Sequence, residues 1–105
     1  MTNQDLSTAA CLAMHATADL PHKANESVLW PTIAEDDAEA VRRCVPWLNS
    51  RWRLVHINQM TRGNVCASAY DETDDDFADE VYGAESMAIA LCRLVIAVAE
   101  SEAKL

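Results

Sequence analysis

The sequence predicts an α+β fold, a two-layer or α/β/α sandwich with a small antiparallel sheet of two to four strands covered by helices. Three observations carry this: an amphipathic helix signal at each end of the chain, a block rich in strand-forming residues between them, and a length of 105 residues, one domain's worth. Half the residues are hydrophobic and 24% are charged, the balance of a chain that buries a core.

In chain order, the first element is a helix from about Gln4 to Thr17, where Leu6, Ala9, Ala10 and Ala13 recur at helical spacing behind Thr2 or Asn3 as cap. From Asp19 to Trp30 the periodicity lapses and Pro21, Asn25 and Ser27 interrupt it, which reads as a connecting loop. The single domain thus divides into an N-terminal helix and loop over 1–29 and a sandwich core over 30–102.

Thr32-Ile33-Ala34-Glu35 has capping-box spacing, with Asp36 and Asp37 behind it at the positive end of a second helix and Arg42 and Arg43 towards the negative end. Ala34, Ala38, Val41, Val45 and Leu48 form its predicted apolar side, Glu39 can pair with Arg42 or Arg43, and Pro46 is expected to kink or end it. Arg51 to Asn58 is rich in Trp, Leu, Val and Ile, Thr61-Arg62-Gly63-Asn64 offers a turn, and Val65 to Tyr70 returns, so a hairpin is expected. The small residues Cys66, Ala67, Ser68 and Ala69 would let a helix pack close. The acidic stretch after Tyr70 is expected to be a loop. Beyond Gly83 a long helix runs to about Ser101, with Met87, Leu91, Leu94, Val95 and Val98 on a stripe widened by Ile89, Cys92 and Ile96, a width that implies deep burial.

Charge is the most distinctive feature. Eight basic against seventeen acidic residues give −9, the wrong sign for binding phosphate backbones. Asp71, Glu72, Asp74, Asp75, Asp76, Asp79 and Glu80 fall within ten residues without a base, leaving −2 for the rest of the chain. Two readings stand: a solvated surface, or a partner-binding site that imitates the charge of nucleic acid and fits a basic groove.

Other candidates point to less. Cys11 and His15, four apart on a helix, are two ligands where a closed zinc site needs four, and no Cys-x-x-Cys occurs. The Asp74 to Asp79 run lacks the glycine turn and terminal glutamate of a calcium loop. His15, His22 and His56 sit in three unrelated contexts, and two glycines are too few for a phosphate cradle, so neither an enzyme nor a cofactor is expected. Cys11, Cys44, Cys66 and Cys92 are widely spaced and read as free thiols. Trp30, Trp47 and Trp52 pin helix to sheet or serve as binding anchors, and Arg51 and Arg53 give a basic sheet edge. Met87 to Ala99, the longest apolar stretch, holds Arg93 and falls short of the roughly 18 residues of a span. Met1-Thr2-Asn3-Gln4-Asp5 lacks the basic start of a secretory signal, so a cytoplasmic protein is expected.

Thr32-Ile33-Ala34-Glu35-Asp36-Asp37-Ala38-Glu39-Ala40-Val41, the Arg51-Trp52 strand entry and Ala88-Ile89-Ala90-Leu91-Cys92-Arg93-Leu94 resemble the phage ABA sandwich domain family over roughly Trp30 to Glu100. The spacing of Ile89, Cys92 and Arg93 departs slightly from the family pattern. The resemblance implies a bacteriophage or prophage protein in the bacterial cytoplasm, an α/β/α sandwich, and no catalytic residues. It turns the acidic run towards a host-defence inhibitor that binds a host protein with a basic groove, such as a CRISPR effector, as monomer or homodimer and without contacting nucleic acid itself. A structural or assembly component of the phage particle is the alternative.

Overall fold

The computed structural model describes residues 2–17, 33–61, 63–71 and 74–103. Its elements are α1 (Asn3–Thr17), a 3-10 turn (Ile33–Glu35), α2 (Asp37–Asn49), β1 (Arg53–Thr61), β2 (Asn64–Asp71), β3 (Asp74–Ala84) and α3 (Met87–Ala103). The fold is the expected small α+β sandwich, with a three-stranded antiparallel sheet in the order β1-β2-β3.

Strand alternation decides where the helices go. Along β2, Val65, Ala67 and Ala69 are buried while Cys66, Ser68 and Tyr70 are half-buried on the other face. Their partners follow the same rule, Val55 and Ile57 inward, Leu54, His56 and Asn58 outward. Among the described residues the helices lie on the inner face in a two-layer arrangement, α3 against β2 and β3, α2 against β1, and α1 against α3 and the 3-10 turn. Ala67 and Ala69 leave the room that α3 needs.

Helix α3 is buried around most of its circumference, through Ala88, Ile89, Ala90, Leu91, Cys92, Leu94, Val95 and Val98, with Arg93 exposed. That matches its nearly continuous apolar sequence. Its first turn is capped twice: Ser86 Oγ accepts from the Ile89 amide at 3.2 Å, and Asp37, from the start of α2, accepts from the Ala88 amide at 2.9 Å. Thr2 caps α1, its hydroxyl accepting from the Asp5 amide at 3.1 Å while the Asp5 carboxylate accepts from the Thr2 amide at 3.3 Å. Buried Ser7 ties α1 to the 3-10 turn by accepting from the Ala34 amide at 2.9 Å.

Several expectations are corrected. The cap of α2 is Asp36, which accepts from the Glu39 amide at 3.1 Å, so the helix starts at Asp37 and Ile33–Glu35 form the separate turn. Thr32 lies outside the described residues. The buried side of α2 is Ala40, Cys44 and Leu48, with Val45 and Trp47 packed beside them, so Val45 and Leu48 of the expected side face the core whereas Val41 and Ala38 are exposed. Pro46 does not end the helix, which continues to Asn49: as the fourth residue from its end, proline deletes one hydrogen bond without stopping the last turn.

The largest correction concerns the acidic stretch. It is not a loop: Asp74 to Glu80 run within β3, whose pairing to β2 extends from Asp71↔Asp74 to Val65↔Ala84 with a register shift at Tyr70/Asp71 that takes in Asp75 and Asp76. Asp is depleted in strands, yet an edge strand has one flank in water and tolerates it. Register shifts near Val65/Ala67, where Gly83 at φ 68° supplies a left-handed residue in the facing strand. Gly63 at φ 73° turns β1 into β2, as the sequence indicates.

Candidate functional site

Of the seven predicted site residues, Asp71 and Asp74 close the β2–β3 hairpin as a directly opposed pair, and Arg53 faces Asp71 from the other side. Both ends of the acidic stretch are therefore anchored in the sheet. The backbone of Asp74, Asp75 and Asp76 lies in β3, while their side chains, and Glu72 entirely, are outside the described residues. Glu80 is exposed on the outer face and accepts a hydrogen bond from Tyr82, which raises the tyrosine pKa through that bond first.

Asp79 goes the other way. Its side chain is on the inner face, 14% exposed, where Oδ2 meets Arg53 Nη1 at 3.6 Å and Oδ1 accepts from Ser101 Oγ at 2.7 Å. Arg53 is 4% exposed. It starts β1 two residues before Val55, and the row Val55, Ala69, Asp79 crosses the sheet. Ala69, the central residue of that row, is small enough for the guanidinium to pass under β2 towards β3. Asp79 thus holds the first and third strands together and ties them to the end of α3. It drops out of the exposed set that sequence position alone assigns.

The expected basic edge is likewise absent. Arg51 precedes the strand, stacks 4.4 Å from the Trp47 ring centroid and pairs with Glu102 of α3, and Arg53 is buried. The tryptophans divide: Trp47 packs against the core, Trp52 is 69% exposed with φ 62°, and Trp30 lies outside the described residues.

Glu39 pairs with both Arg42 and Arg43, and the Arg43 hydrogen bond above all holds its carboxyl below the usual range. Cys11, Cys44 and Cys92, one from each helix, meet in the core as free thiols. Cys44 donates to Cys92, and that bond, followed by burial, pushes its pKa far up. Accepting the same bond draws the Cys92 thiol down. Burial pushes Cys11 up to about 11. Cys11 points into this cluster, and among the described residues no three His, Cys, Asp or Glu side chains are arranged to hold a metal ion. The His15 side chain is outside the described residues.

On the outer face His56, Ser68 and Glu80 form one row, a juxtaposition that only strand register reveals. In that row the serine stands between the imidazole and the Glu80 carboxylate. A shallow groove lined by Asn3, Leu6, Arg93 and Ile96 between α1 and α3 has a volume of about 240 Å³, below the roughly 300 Å³ where small-molecule sites begin.

No family model, no curated protein and no solved structure matches this chain. No described helix is long and apolar enough to cross a membrane.

Proposed function

We propose that this chain is a non-enzymatic binding protein whose acidic third strand enters a basic groove on a partner protein. The phage-family resemblance directs the proposal to a phage or prophage product that inhibits a nucleic-acid-binding host-defence protein, a CRISPR effector being the concrete form, by occupying the groove in place of nucleic acid.

The observation behind it is that Asp74, Asp75 and Asp76 are consecutive residues of an extended edge strand. Successive residues of a strand alternate between its faces, so acids in a row put negative charge on both sides of the sheet edge. Asp74 is fixed to the sheet opposite Asp71, and Asp75 and Asp76 follow it in the irregularity before Tyr70↔Ala78. Like charges so arrayed speed encounter with a positive groove and select for it.

The test is competition: a purified CRISPR effector is loaded with labelled nucleic acid and titrated with the chain at several salt concentrations. The chain displaces the label, and Asp74→Asn with Asp75→Asn and Asp76→Asn weakens displacement by more than about tenfold and flattens the salt dependence. Asp79 stays unchanged because it holds Arg53. Equal displacement by the triple variant, with the same salt dependence, refutes the proposal.

A further inference from the structure

The two edges of the sheet are unlike. β3 carries Asp74, Asp75, Asp76, Asp79 and Glu80, while β1, nine residues long, carries one formal charge, Arg53, turned inward onto Asp79. Natural edge strands avoid pairing through proline, lysine, shortness or bulges. β1 has no proline, lysine or acid, and its irregularity comes only after Gln59, leaving Arg53 to Gln59 as regular strand. Among the described residues nothing pairs with its outer edge. Beside this edge stand two large exposed apolar side chains, Trp52 at 69% and Leu54 at 54%, with Tyr70 directly across from Leu54. Trp52 is held at φ 62°, a left-handed conformation that is strained for a non-glycine residue.

We infer that β1 is a homodimer interface: the β1 edges of two copies pair antiparallel into one six-stranded sheet. Charge selects this occupant. Two chains of −9 repel wherever acids face one another, so β3 against β3 is disfavoured and the uncharged edge is where copies meet. Pairing β1 with β3 would be heterologous and open-ended, whereas β1 with β1 closes on a two-fold axis after one addition. Trp52 and Leu54 then gain cover from the second copy. The inference is independent of the proposed function, since it uses the opposite edge.

Sedimentation velocity of the full chain from about 1 to about 100 µM tests it. A dimer is expected whose dissociation constant falls as sodium chloride is raised, because salt screens the repulsion between the copies. In hydrogen exchange, the amides of β1 gain protection with concentration while those of β3 do not. Leu54→Glu with His56→Glu, both on exposed positions, sets like charges across the interface and weakens the dimer by about tenfold or more. Glu80→Gln, on the other edge, leaves it unchanged. Circular dichroism of each variant establishes that the fold persists. A monomer throughout the concentration range, a dimer unaffected by the two glutamates, or concentration-dependent protection in β3 instead of β1 overturns the inference.

Discussion

Asp79 and Glu80 are neighbours in sequence and opposites in environment, one beneath the sheet against Arg53, the other in water beside Tyr82. A buried ion pair contributes little net stability, but removing one member strands the other charge away from water. Asp79→Ala is therefore expected to destabilise by about 3 kcal/mol. Pairing it with Arg53→Met recovers part of that loss, because the charge that faced Asp79 is gone as well. Urea denaturation of the two variants measures this, and a double variant no better than the single would mean that Asp79 acts mainly through Ser101. Nothing in the sequence separates these two acids except strand parity. Parity becomes usable only once the stretch is recognised as strand, and the density of aspartate argues for a loop.

At the level of elements, legibility followed the strength of the periodic signal. α3 was plain because apolar residues surround it, and the β1–β2 hairpin because Arg62-Gly63 separates two runs of strand formers. α2 starts a turn later than the Thr32-Ile33-Ala34-Glu35 spacing indicates, because Asp36, read from sequence as a first-turn acid, takes the cap. Helix-to-helix capping was hidden altogether: Asp37 lies 51 residues from the amide it accepts from. Asp37→Ala and Ser86→Ala are each expected to cost about 1 kcal/mol, and the pair somewhat less than the sum because both serve the first turn of α3. Thermal melts of the two single variants and the double would show it, while full additivity would indicate that the caps act separately.

For the molecule as a whole, stability is bounded by different groups at the two ends of the pH scale. Glu39, held below the ordinary carboxyl value of 4.5 by its arginines, contributes stability that is complete above pH 4.5 and disappears as pH falls through the lowered value. Cys11 is raised from 9.0 to about 11, so its contribution is complete below pH 9.0 and is lost as pH climbs towards about 11. Between these limits neither of the two groups makes stability depend on pH, and outside them each lowers it. Cys11→Ala should reduce the alkaline slope without altering the acid one, as read from urea midpoints across the range; an unchanged alkaline slope would place its origin in other groups.

The meeting of three helices at sulfur has a kinetic consequence. An alkylating reagent reaches Cys11, Cys44 or Cys92 only when a helix lifts from its neighbours, while Cys66, half-buried on the outer face, needs no such event. Labelling should proceed as one fast modification followed by three slow ones, with the slow rates set by how often each helix detaches. The chain carries its own stopwatch for the opening of its interior, and mass spectrometry can read it without any added probe.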